Sequence, residues 1–369
     1  MFASVKCGDI MKKVTKIVLS GGPGGGKTKS LKRLLPELQM LGYKVFPVLE
    51  SATQIIESGF NRYESAYKFQ KAIAENQLKI ETEIEENLKP DEKALIICDR
   101  GLMDCRVYLS DSDYEKIKAE LNMNEVELRD RYDAVFHLDS TSNSSNAEYI
   151  NEHTRIENES EARKINERSL KAWCGNPHYR FIPVCENYEE KFRLLLKEIK
   201  SFLGIPRHLE IERKFLIKYP DIDFLMTLPC SKTSIEQAYL IGEKGVFRLR
   251  KRGCNGEYIF IKTVKTRISD TVRIEKEDRL SESEYNELMS SNKVTGKIKK
   301  HRYCLMYKGT YYEIDIFPFW KNQALLEVEM NEENEEINIP EFFDLIREVS
   351  FDERYRNSSL CNNVPKEEV

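Results

Sequence analysis

The chain has 369 residues; 40% are hydrophobic, 33% are charged, and 58 Lys and Arg stand against 62 Asp and Glu. This length predicts about two domains, each able to bury its own core. A net charge of −4 argues against a dedicated DNA-binding protein, and the hydrophobic content argues against a disordered chain. No apolar run approaches the roughly 18 residues of a membrane helix. Nine cysteines without C-x-x-C spacing, and no signal-peptide pattern at the start, predict a reduced, cytoplasmic protein.

The first half, predicted as a domain over residues 11–203 after an extension over 1–10, alternates short apolar runs with amphipathic stretches. Continuous apolar strands separated by helices are typical of a parallel sheet covered on both faces. We therefore predict an α/β fold of the P-loop NTPase or kinase-like class. The predicted strands are 16–20, 44–50, 94–99, 134–139 and 181–184, and the predicted helices are 29–41, 62–88, 162–173 and 188–202.

Residues 21–28 read GGPGGGKT and fit the pattern G-x-x-x-x-G-K-[ST] between a predicted strand and a predicted helix. Glycines let backbone N–H groups converge on phosphate oxygens, and the helix N-terminus adds partial positive charge. The lysine reaches the terminal phosphates and the threonine hydroxyl can bind Mg²⁺. The predicted nucleotide-binding residues of this loop are Gly21, Gly22, Gly24, Gly25, Gly26, Lys27 and Thr28.

Other polar residues follow the predicted strands of this half. Asp99 ends the third strand and is predicted to join Thr28 in the Mg²⁺ shell, although a helix cap or a turn explains an aspartate there as well. Glu50 ends the second strand and is a candidate general base, with a surface carboxylate as the alternative. Three arginines are candidates for a lid over the phosphates, or else belong to a solvated helix face: Arg155, Arg163 and Arg168.

After a predicted linker over 204–208, the hydrophobic period changes to two. The predicted strands are 209–217, 234–241, 245–251, 256–263, 271–277, 297–306, 310–317 and 324–330. About eight strands with few helices predict a mainly antiparallel sheet closed into a barrel. We place this second domain over residues 209–360, followed by a tail over 361–369.

Charged residues alternate with apolar ones along almost every strand of the second half, so each strand has one charged and one apolar face. A solvated outer face over an apolar core is one explanation. The other is a closed barrel with a charged, wet interior, in which basic residues bind a polyanion and carboxylates bind Mg²⁺ or Mn²⁺. The repeated x-E-x-E and R-x-R pairs favour the charged interior, because isolated surface pairs stabilise little.

The first half resembles the P-loop domain of the NadR and TRPL-translocation-defect type, through its GGPGGGKT loop, VLESA (48–52), CDRG (98–101) and TRIENESEA (154–162) stretches. That resemblance covers about residues 13–202. It implies either a ribosylnicotinamide or nucleotide kinase, or a protein that binds GTP without a kinase role. No motif in this half identifies the base, so ATP and GTP both stay open.

The second half resembles the CYTH, or triphosphate tunnel metalloenzyme, superfamily. The resemblance rests on EIERKF (210–215), FRLRKRG (247–253), RIEKE (273–277), YYEIDIF (311–317) and LLEVEM (325–330), and it covers about residues 209–360. It implies a metal site and a phosphate site in the tunnel. The implied metal ligands are Glu210, Glu212, Glu327 and Glu329, and the implied phosphate-binding residues are Lys214, Arg248, Arg250, Lys262, Arg273 and Arg302.

The pairing of the two domains is similar to that of the TRPL-translocation-defect type, which implies GTP binding, binding of phosphatidic acid, peripheral membrane contact and a role in membrane-protein trafficking. Three functions follow. The first is a nucleotide-binding regulator whose tunnel binds a polyphosphate or an acidic lipid headgroup. The second is a metal-dependent triphosphatase acting on tripolyphosphate or an organic triphosphate. The third is a nucleotide or nucleoside kinase that uses Glu50.

Overall fold

The computed structural model describes residues 14–89, 93–140, 159–205, 211–242, 245–267, 273–330 and 337–368. They divide into two compact units. The first lies within Met1–Asn122 and Asp130–Lys197, and the second within Met123–Arg129 and Glu198–Val369. We call them the N-terminal and the C-terminal domain.

The N-terminal domain contains a five-stranded parallel sheet in the order β2-β3-β1-β4-β5, which confirms the predicted parallel α/β fold. The two central strands β1 and β3 are apolar and almost wholly buried, because helices cover both faces. The strands are β1 (Val14–Ser20), β2 (Lys44–Val48), β3 (Ala94–Asp99), β4 (Ala134–Leu138) and β5 (Tyr179–Ile182).

The predicted helix over 62–88 begins later, at Ala66, because the Ser65 hydroxyl accepts a hydrogen bond from Lys68 N and caps the helix there. Three short helices and a 3₁₀ helix over Leu102–Tyr108 were not predicted. The helices in this part of the chain are α1 (Lys27–Met40), α2 (Ser51–Glu57), α3 (Ala66–Glu86), α4 (Asp111–Glu120), α5 (Glu125–Asp130), α6 (Glu159–Trp173) and α7 (Tyr188–Phe202).

The C-terminal domain contains a nine-stranded antiparallel sheet in the order β10-β9-β8-β7-β11-β12-β13-β6-β14. This confirms a large antiparallel sheet. The edge strands are β10 and β14, and the described residues form no ladder between them. The strands are β6 (Ile211–Lys218), β7 (Cys230–Gly242), β8 (Gly245–Cys254), β9 (Glu257–Arg267), β10 (Arg273–Leu280), β11 (Lys293–Tyr307), β12 (Thr310–Ile316), β13 (Gln323–Met330) and β14 (Leu345–Glu348), and the helices are α8 (Ile222–Thr227), α9 (Glu282–Ser291) and α10 (Asn357–Leu360).

The two faces of this sheet differ in chemistry. One face carries apolar clusters, of which one includes Leu249, Phe260 and Tyr285 of α9. We call the opposite face, which carries Lys214 and Arg302, the charged face; cross-strand partners share a face, so the register defines it. One end of the charged face is covered by an apolar cluster to which a 3₁₀ helix (Glu353–Tyr355) and α10 contribute. That cluster comprises Leu216, Ile298, Phe317, Trp320, Leu325, Val349, Tyr355 and Leu360.

Tyr239 lies on the charged face, as the cross-strand partner of Arg248. Tyr239 on β7 lies within the influence of positive charge from Arg248 on β8 and from Lys214 on β6, which is four strands away from β7 on its other side. Burial raises the pKa of Tyr239, and these cations oppose the rise.

Candidate functional site

The loop of residues 21–28 connects β1 to α1 and lies against the end of β4. Gly26 has φ +84° and precedes the first helical residue, Lys27. A Cβ atom at Gly21 would lie 2.3 Å from the carbonyl oxygen of Leu138, and one at Gly25 would lie 2.6 Å from it. The backbone of the loop can approach β4 this closely only because these positions carry no side chain.

Lys27 bends back over this loop. Its Nζ donates to the carbonyl oxygens of Gly21 and Gly22, at 2.9 and 2.8 Å. Burial, aided by the positive charge of Arg100, lowers the pKa of Lys27 to about 7. A phosphate group placed among the loop amides would give this ammonium a charged partner in place of two neutral carbonyls.

Thr28 and Asp99 lie side by side at the end of β3. The Thr28 hydroxyl donates a short hydrogen bond to Asp99 Oδ2. Asp99 Oδ1 is buried and has no hydrogen-bond partner among the described residues. Burial raises the pKa of Asp99. The 3₁₀ helix that follows is capped by Gly101 and Asp104, not by Asp99. Two hard oxygen ligands, one of them unpaired, therefore fit a Mg²⁺ ion at this position.

Arg100 was not predicted as a site residue, although it lies in the CDRG stretch. It is a non-glycine residue with φ +75°, a strained backbone conformation. Its Nε donates to Glu50 Oε1 at 2.8 Å, and its Nη1 donates to the Gly21 carbonyl at 3.3 Å. Gln77 Nε2 bonds to its backbone carbonyl at 2.9 Å. Arg100 thus ties the candidate base Glu50 to the loop, and no residue-type motif signals this conformation.

Two further side chains form hydrogen bonds to the backbone of this loop. Asn166 on α6 accepts a hydrogen bond from Gly22 N at 2.9 Å. Lys191 on α7 donates to the Gly25 carbonyl at 3.0 Å, and burial lowers its pKa to about 8. Both side chains come from helices far along the chain, so their part in the loop could be recognised only in the folded protein.

On the charged face, four strands bring opposite charges together. Arg302 on β11 donates to Asp315 on β12 in a bidentate pair of 2.7 and 2.6 Å, and to Glu327 on β13 at 2.5 Å. Lys214 on β6 lies 2.6 Å from Glu327 and 3.1 Å from Glu212. Asp315, Glu327 and Arg302 have side chains that are 0, 5 and 14% exposed. The charges are therefore buried, not arrayed on a solvated outer surface.

Burial favours the neutral form of Glu327, but Arg302 and Lys214 outweigh it and hold the pKa of Glu327 well below its usual range. Burial and the negative charge of Glu327 raise the pKa of Glu212 to about 7. Glu212 is thus the carboxyl group of this pair that takes up a proton. A divalent cation binding at Glu212 would have to displace that proton.

Strands β7 and β8 form another part of the charged face, with few carboxylates. Arg248 Nη2 donates to Thr263 Oγ1 at 3.1 Å and pairs with Glu277 Oε1 at 3.2 Å. Burial, with the positive charge of Arg248, lowers the pKa of Arg250 to about 9. Gln237 is the cross-strand partner of Arg250 and is 2% exposed.

Comparison with known proteins shows what each half of the chain is similar to. A family model described as an AAA domain matches residues 16–191. An inorganic triphosphatase of Acetivibrio thermocellus is 31% identical over 160 residues, which are 42% of this chain and 96% of the relative. The chain belongs to the inorganic triphosphatase family. It combines a P-loop domain for nucleotide binding with a CYTH-type, triphosphatase-like region.

Two solved structures are also similar to parts of this triphosphatase-family chain. The crystal structure of an inorganic triphosphatase is 26% identical, with 43% of this chain and 97% of that chain covered and a TM-score of 0.29. A thymidylate kinase from Ehrlichia chaffeensis is 16% identical, with 52% of this chain and all of that chain covered and a TM-score of 0.37.

The register separates Lys262 from the rest of the predicted phosphate-binding set. Lys262 pairs with Leu249, on the apolar face, and its Nζ lies 4.9 Å from the centre of the Phe247 ring. The other described members share the charged face: Lys214, Arg248, Arg250 and Arg302. The side chain of Arg273, and all of Glu210 and Arg155, lie outside the described residues.

On α6, Arg163 and Arg168 are exposed, and Arg168 donates to the Val107 carbonyl at 3.3 Å. Neither arginine has a described contact with residues 21–28. Sequence reasoning did not assign Glu313 or Asp315 to the site, and it missed Lys300, which pairs with Asp315. Lys300 and Arg302 lie two residues apart in the KIKKHR stretch at 297–302, and this spacing within a strand was a usable signal that they share a face.

A divalent ion fits the carboxylates of this face by donor chemistry. Glu212 and Glu329 are cross-strand partners, and Glu327 lies on the same face two residues from Glu329. All supply the hard oxygen ligands that Mg²⁺ and Mn²⁺ prefer. Within the described ranges, no three Asp, Glu, His or Cys side chains are already grouped as a metal cluster. In the same part of the chain, no helix is both long and apolar enough to cross a bilayer.

Proposed function

We propose that the C-terminal domain hydrolyses a triphosphate with the help of Mg²⁺ or Mn²⁺, and that the N-terminal domain binds a nucleoside triphosphate. The observation that carries the first part is the buried network of Lys214, Arg302 and Glu327 on one face of the sheet. Membership of the inorganic triphosphatase family supports it. We further propose that β10 and β14 approach each other to complete a tunnel around that face.

Both signs of charge have a role in this reaction. Arg302 and Lys214 stabilise the phosphate oxygens, whose negative charge grows as the reaction proceeds. Glu212, Glu327 and Glu329 would hold the divalent ion, which would polarise a phosphoryl oxygen and lower the pKa of a bound water. In the ligand-free protein these charges neutralise one another, so the face stays folded when it is empty.

The reaction is a hydrolysis. The oxygen of a water molecule forms a bond to a terminal phosphorus, the bond from that phosphorus to the bridging oxygen breaks, and its electron pair leaves with the remaining diphosphate. The water loses a proton to solvent, and the products are orthophosphate and pyrophosphate, or a diphosphate ester where the substrate is an organic triphosphate. Arg302 stabilises the charge on the leaving oxygens, in keeping with its position among the buried carboxylates.

A second candidate activity belongs to the N-terminal domain. The link from Arg100 to both Glu50 and the Gly21 carbonyl favours phosphoryl transfer to an acceptor hydroxyl, with Glu50 as base. The choice between GTP and ATP stays a prediction. The same holds for the acidic-lipid ligand and the trafficking role that the domain pairing implies.

A phosphate-release panel tests the first proposal. Tripolyphosphate, thiamine triphosphate, ATP and GTP are each supplied with Mg²⁺ or Mn²⁺. We expect wild-type protein to release phosphate from tripolyphosphate, Glu212→Gln to lower the rate at least tenfold, and Lys27→Ala to leave it unchanged. The matched control is Glu236→Gln, because Glu236 is exposed and pairs with Lys299 on the opposite face of the sheet.

Absence of phosphate release from all four compounds would overturn the hydrolase assignment. A second measurement compares sedimentation of the protein with phosphatidic-acid vesicles and with neutral vesicles. It tests the alternative that the protein is a lipid-binding regulator. Strong vesicle binding without turnover of tripolyphosphate would favour a lipid-binding regulator. Tripolyphosphate turnover without vesicle binding would support the hydrolase.

A further inference from the structure

The tail that follows α10 lies against the connection between β12 and β13. The Pro365 carbonyl accepts a hydrogen bond from Trp320 Nε1 at 3.1 Å. Glu367 accepts from the backbone N–H of Asn322 at 2.9 Å, from Asn322 Nδ2 at 2.8 Å, and from the backbone N–H of Lys321. Two backbone amides and one side-chain amide that converge on a carboxylate make a small anion site.

Glu368 occupies a second anion site next to the first. Arg347 donates to its carboxylate through Nε at 2.6 Å and through Nη2 at 2.8 Å, and the Tyr355 hydroxyl donates at 2.7 Å. Hydrogen bonds from Arg347 and Tyr355 lower the pKa of Glu368 to about 2, so this carboxylate is charged at neutral pH. A forked contact with an arginine is selective for planar anions such as carboxylates.

The groups that bind the tail belong to a buried frame. We call the surface formed by residues 320–323, Arg347 and Tyr355 the tail groove. Trp320, Gln323 and Tyr355 are 3, 0 and 1% exposed, and Trp320 and Tyr355 belong to the apolar cluster that covers one end of the charged face. Because apolar packing within the domain fixes these side chains, the groove keeps its shape when the tail leaves.

The tail itself is held by polar contacts. Val364 is 42% exposed, Pro365 is half-buried, and the Glu368 side chain is 32% exposed. Exposed ion pairs stabilise little, and segments with few buried apolar contacts open at low free energy. The tail is therefore an exchangeable occupant of the groove.

The tail also leaves one buried donor of the groove unsatisfied. Gln323 Oε1 accepts a hydrogen bond from the backbone N–H of Glu368 at 2.9 Å. Gln323 Nε2 is buried and has no hydrogen-bond partner among the described residues, whereas native structures satisfy most such donors. Both atoms belong to one amide group, so a segment with one more acceptor beside this backbone N–H would use the whole amide.

We propose that the tail groove is a docking site for an acidic segment of a partner protein, and that residues 365–368 of the same chain mask it. The groove fits a backbone carbonyl followed by two adjacent carboxylates, since these are the groups that the tail presents. When the tail is released, a partner segment of this chemistry takes its place. The inference goes beyond the proposed function and does not depend on it.

A peptide added in trans tests the docking site. Its sequence is that of residues 362–368, NNVPKEE, with both ends blocked, and fluorescence anisotropy of a labelled form measures its binding to the full chain. We expect Glu367→Ala/Glu368→Ala, which frees the groove, to bind this peptide at least about tenfold more tightly than wild type, because the attached tail competes at high effective concentration. The peptide NNVPKQQ should bind the freed groove at least about tenfold more weakly than NNVPKEE.

Two arginine substitutions, each added to the double variant, locate the binding site. Arg347→Met should weaken peptide binding at least about tenfold, because the forked contact is lost. The matched control is Arg213→Met: Arg213 is also about one-third exposed and pairs with Glu348, with no described contact to the tail. Peptide affinity should stay within about twofold in this control, since an exposed pair away from the groove contributes little.

The double variant should melt within a few degrees of wild type, because the contacts that it removes are largely exposed. Should it not fold, Glu368→Gln replaces it, since this change removes only the charge that faces Arg347, and the same order of peptide affinities is expected.

The docking site is overturned if the freed groove binds NNVPKEE no more tightly than wild type, if NNVPKQQ binds equally well, or if Arg347→Met leaves the affinity unchanged. Displacement of the labelled peptide by an equal concentration of tripolyphosphate would make the groove a general anion site and remove the assignment to an acidic segment. Wild-type dimers that disappear in the double variant, measured by analytical ultracentrifugation, would give the groove to the tail of a second copy instead.

Discussion

Lys214 on β6 and Glu327 on β13 are direct cross-strand partners, and their Nζ and Oε1 atoms lie 2.6 Å apart in a buried setting. Glu327 also accepts a hydrogen bond from Arg302, so this one carboxylate faces two cations. A buried charge pair adds little net stability compared with an apolar core, but loss of one member leaves the other charged and unpaired. Substitution of one member of the pair therefore tests whether the charges on this face are kept for a ligand and not for the stability of the fold.

Glu327→Gln should destabilise the C-terminal domain by about 3 kcal/mol, because Lys214 and Arg302 keep their charges and lose their shared partner. The free energy of unfolding, from denaturant titration at pH 7, measures this. Glu348→Gln is the matched control: its pair with Arg213 is about one-third exposed, and its loss should cost at most about 1 kcal/mol. Equal effects of the two substitutions would contradict the buried network.

The depressed pKa of Glu327 also sets a pH dependence. A carboxyl group whose pKa is lower in the folded than in the unfolded protein stabilises the fold above the unfolded pKa of about 4.3, and that contribution is lost as pH falls through the folded value. Unfolding titrations between pH 5 and pH 3 should show a smaller loss of stability in Glu327→Gln than in wild type. Parallel loss in both proteins would show that Glu327 does not titrate in this way.

Nucleotide binding to the N-terminal domain should take up a proton. The pKa of Lys27 is lowered to about 7 in the ligand-free protein, and phosphate charge beside its Nζ raises it again. Above pH 7 some of the lysine must be protonated on binding, so affinity should fall as pH rises from 7 to 9. Calorimetry at pH 8 in buffers of different ionisation enthalpy measures the uptake, and at pH 6 the uptake should nearly vanish. The same uptake at both pH values would remove Lys27 as its source.

Thr28 and Asp99 should decide whether nucleotide binding depends on Mg²⁺. Thr28→Val removes the hydroxyl that bonds to Asp99, and with it a ligand of the expected ion. We expect this variant to lose most of the gain in nucleotide affinity that Mg²⁺ provides, while binding in EDTA changes little. Thr28→Ser keeps the hydroxyl and should behave as wild type. A full Mg²⁺ effect in Thr28→Val would place the ion elsewhere.

Motif and alternation in the sequence predict most of the fold and part of both sites. The loop of residues 21–28 is recognisable because its chemistry requires particular residue types at fixed spacing, and the alternation around Lys214 and Arg302 places them correctly on one face. Lys262 shows where alternation fails. On β9 the charged residue lies on the apolar face, where its ammonium group lies over the Phe247 ring.

Arg100 and Gln237 show a second limit of sequence reasoning. The strained backbone of Arg100 depends on its contacts with Glu50 and Gly21, which lie far away in sequence. Gln237 is unusual only because the folded sheet buries it without a partner. In both cases tertiary contacts set the chemistry, and a short stretch of sequence does not contain them.

Gly25 offers a steric test of the nucleotide loop. A Cβ there would lie 2.6 Å from the Leu138 carbonyl oxygen, closer than atoms can approach, so Gly25→Ala must push the loop away from β4. We expect a loss of about 1–3 kcal/mol in stability and at least tenfold weaker nucleotide binding, because the loop amides no longer converge. The matched control is Gly42→Ala, at φ +85° with open space around its Cβ. It should cost about 1–2 kcal/mol through backbone strain alone and leave nucleotide affinity, measured by calorimetry, unchanged. If Gly25→Ala bound nucleotide as tightly as Gly42→Ala, the contact between the loop and Leu138 would have no part in shaping the phosphate site.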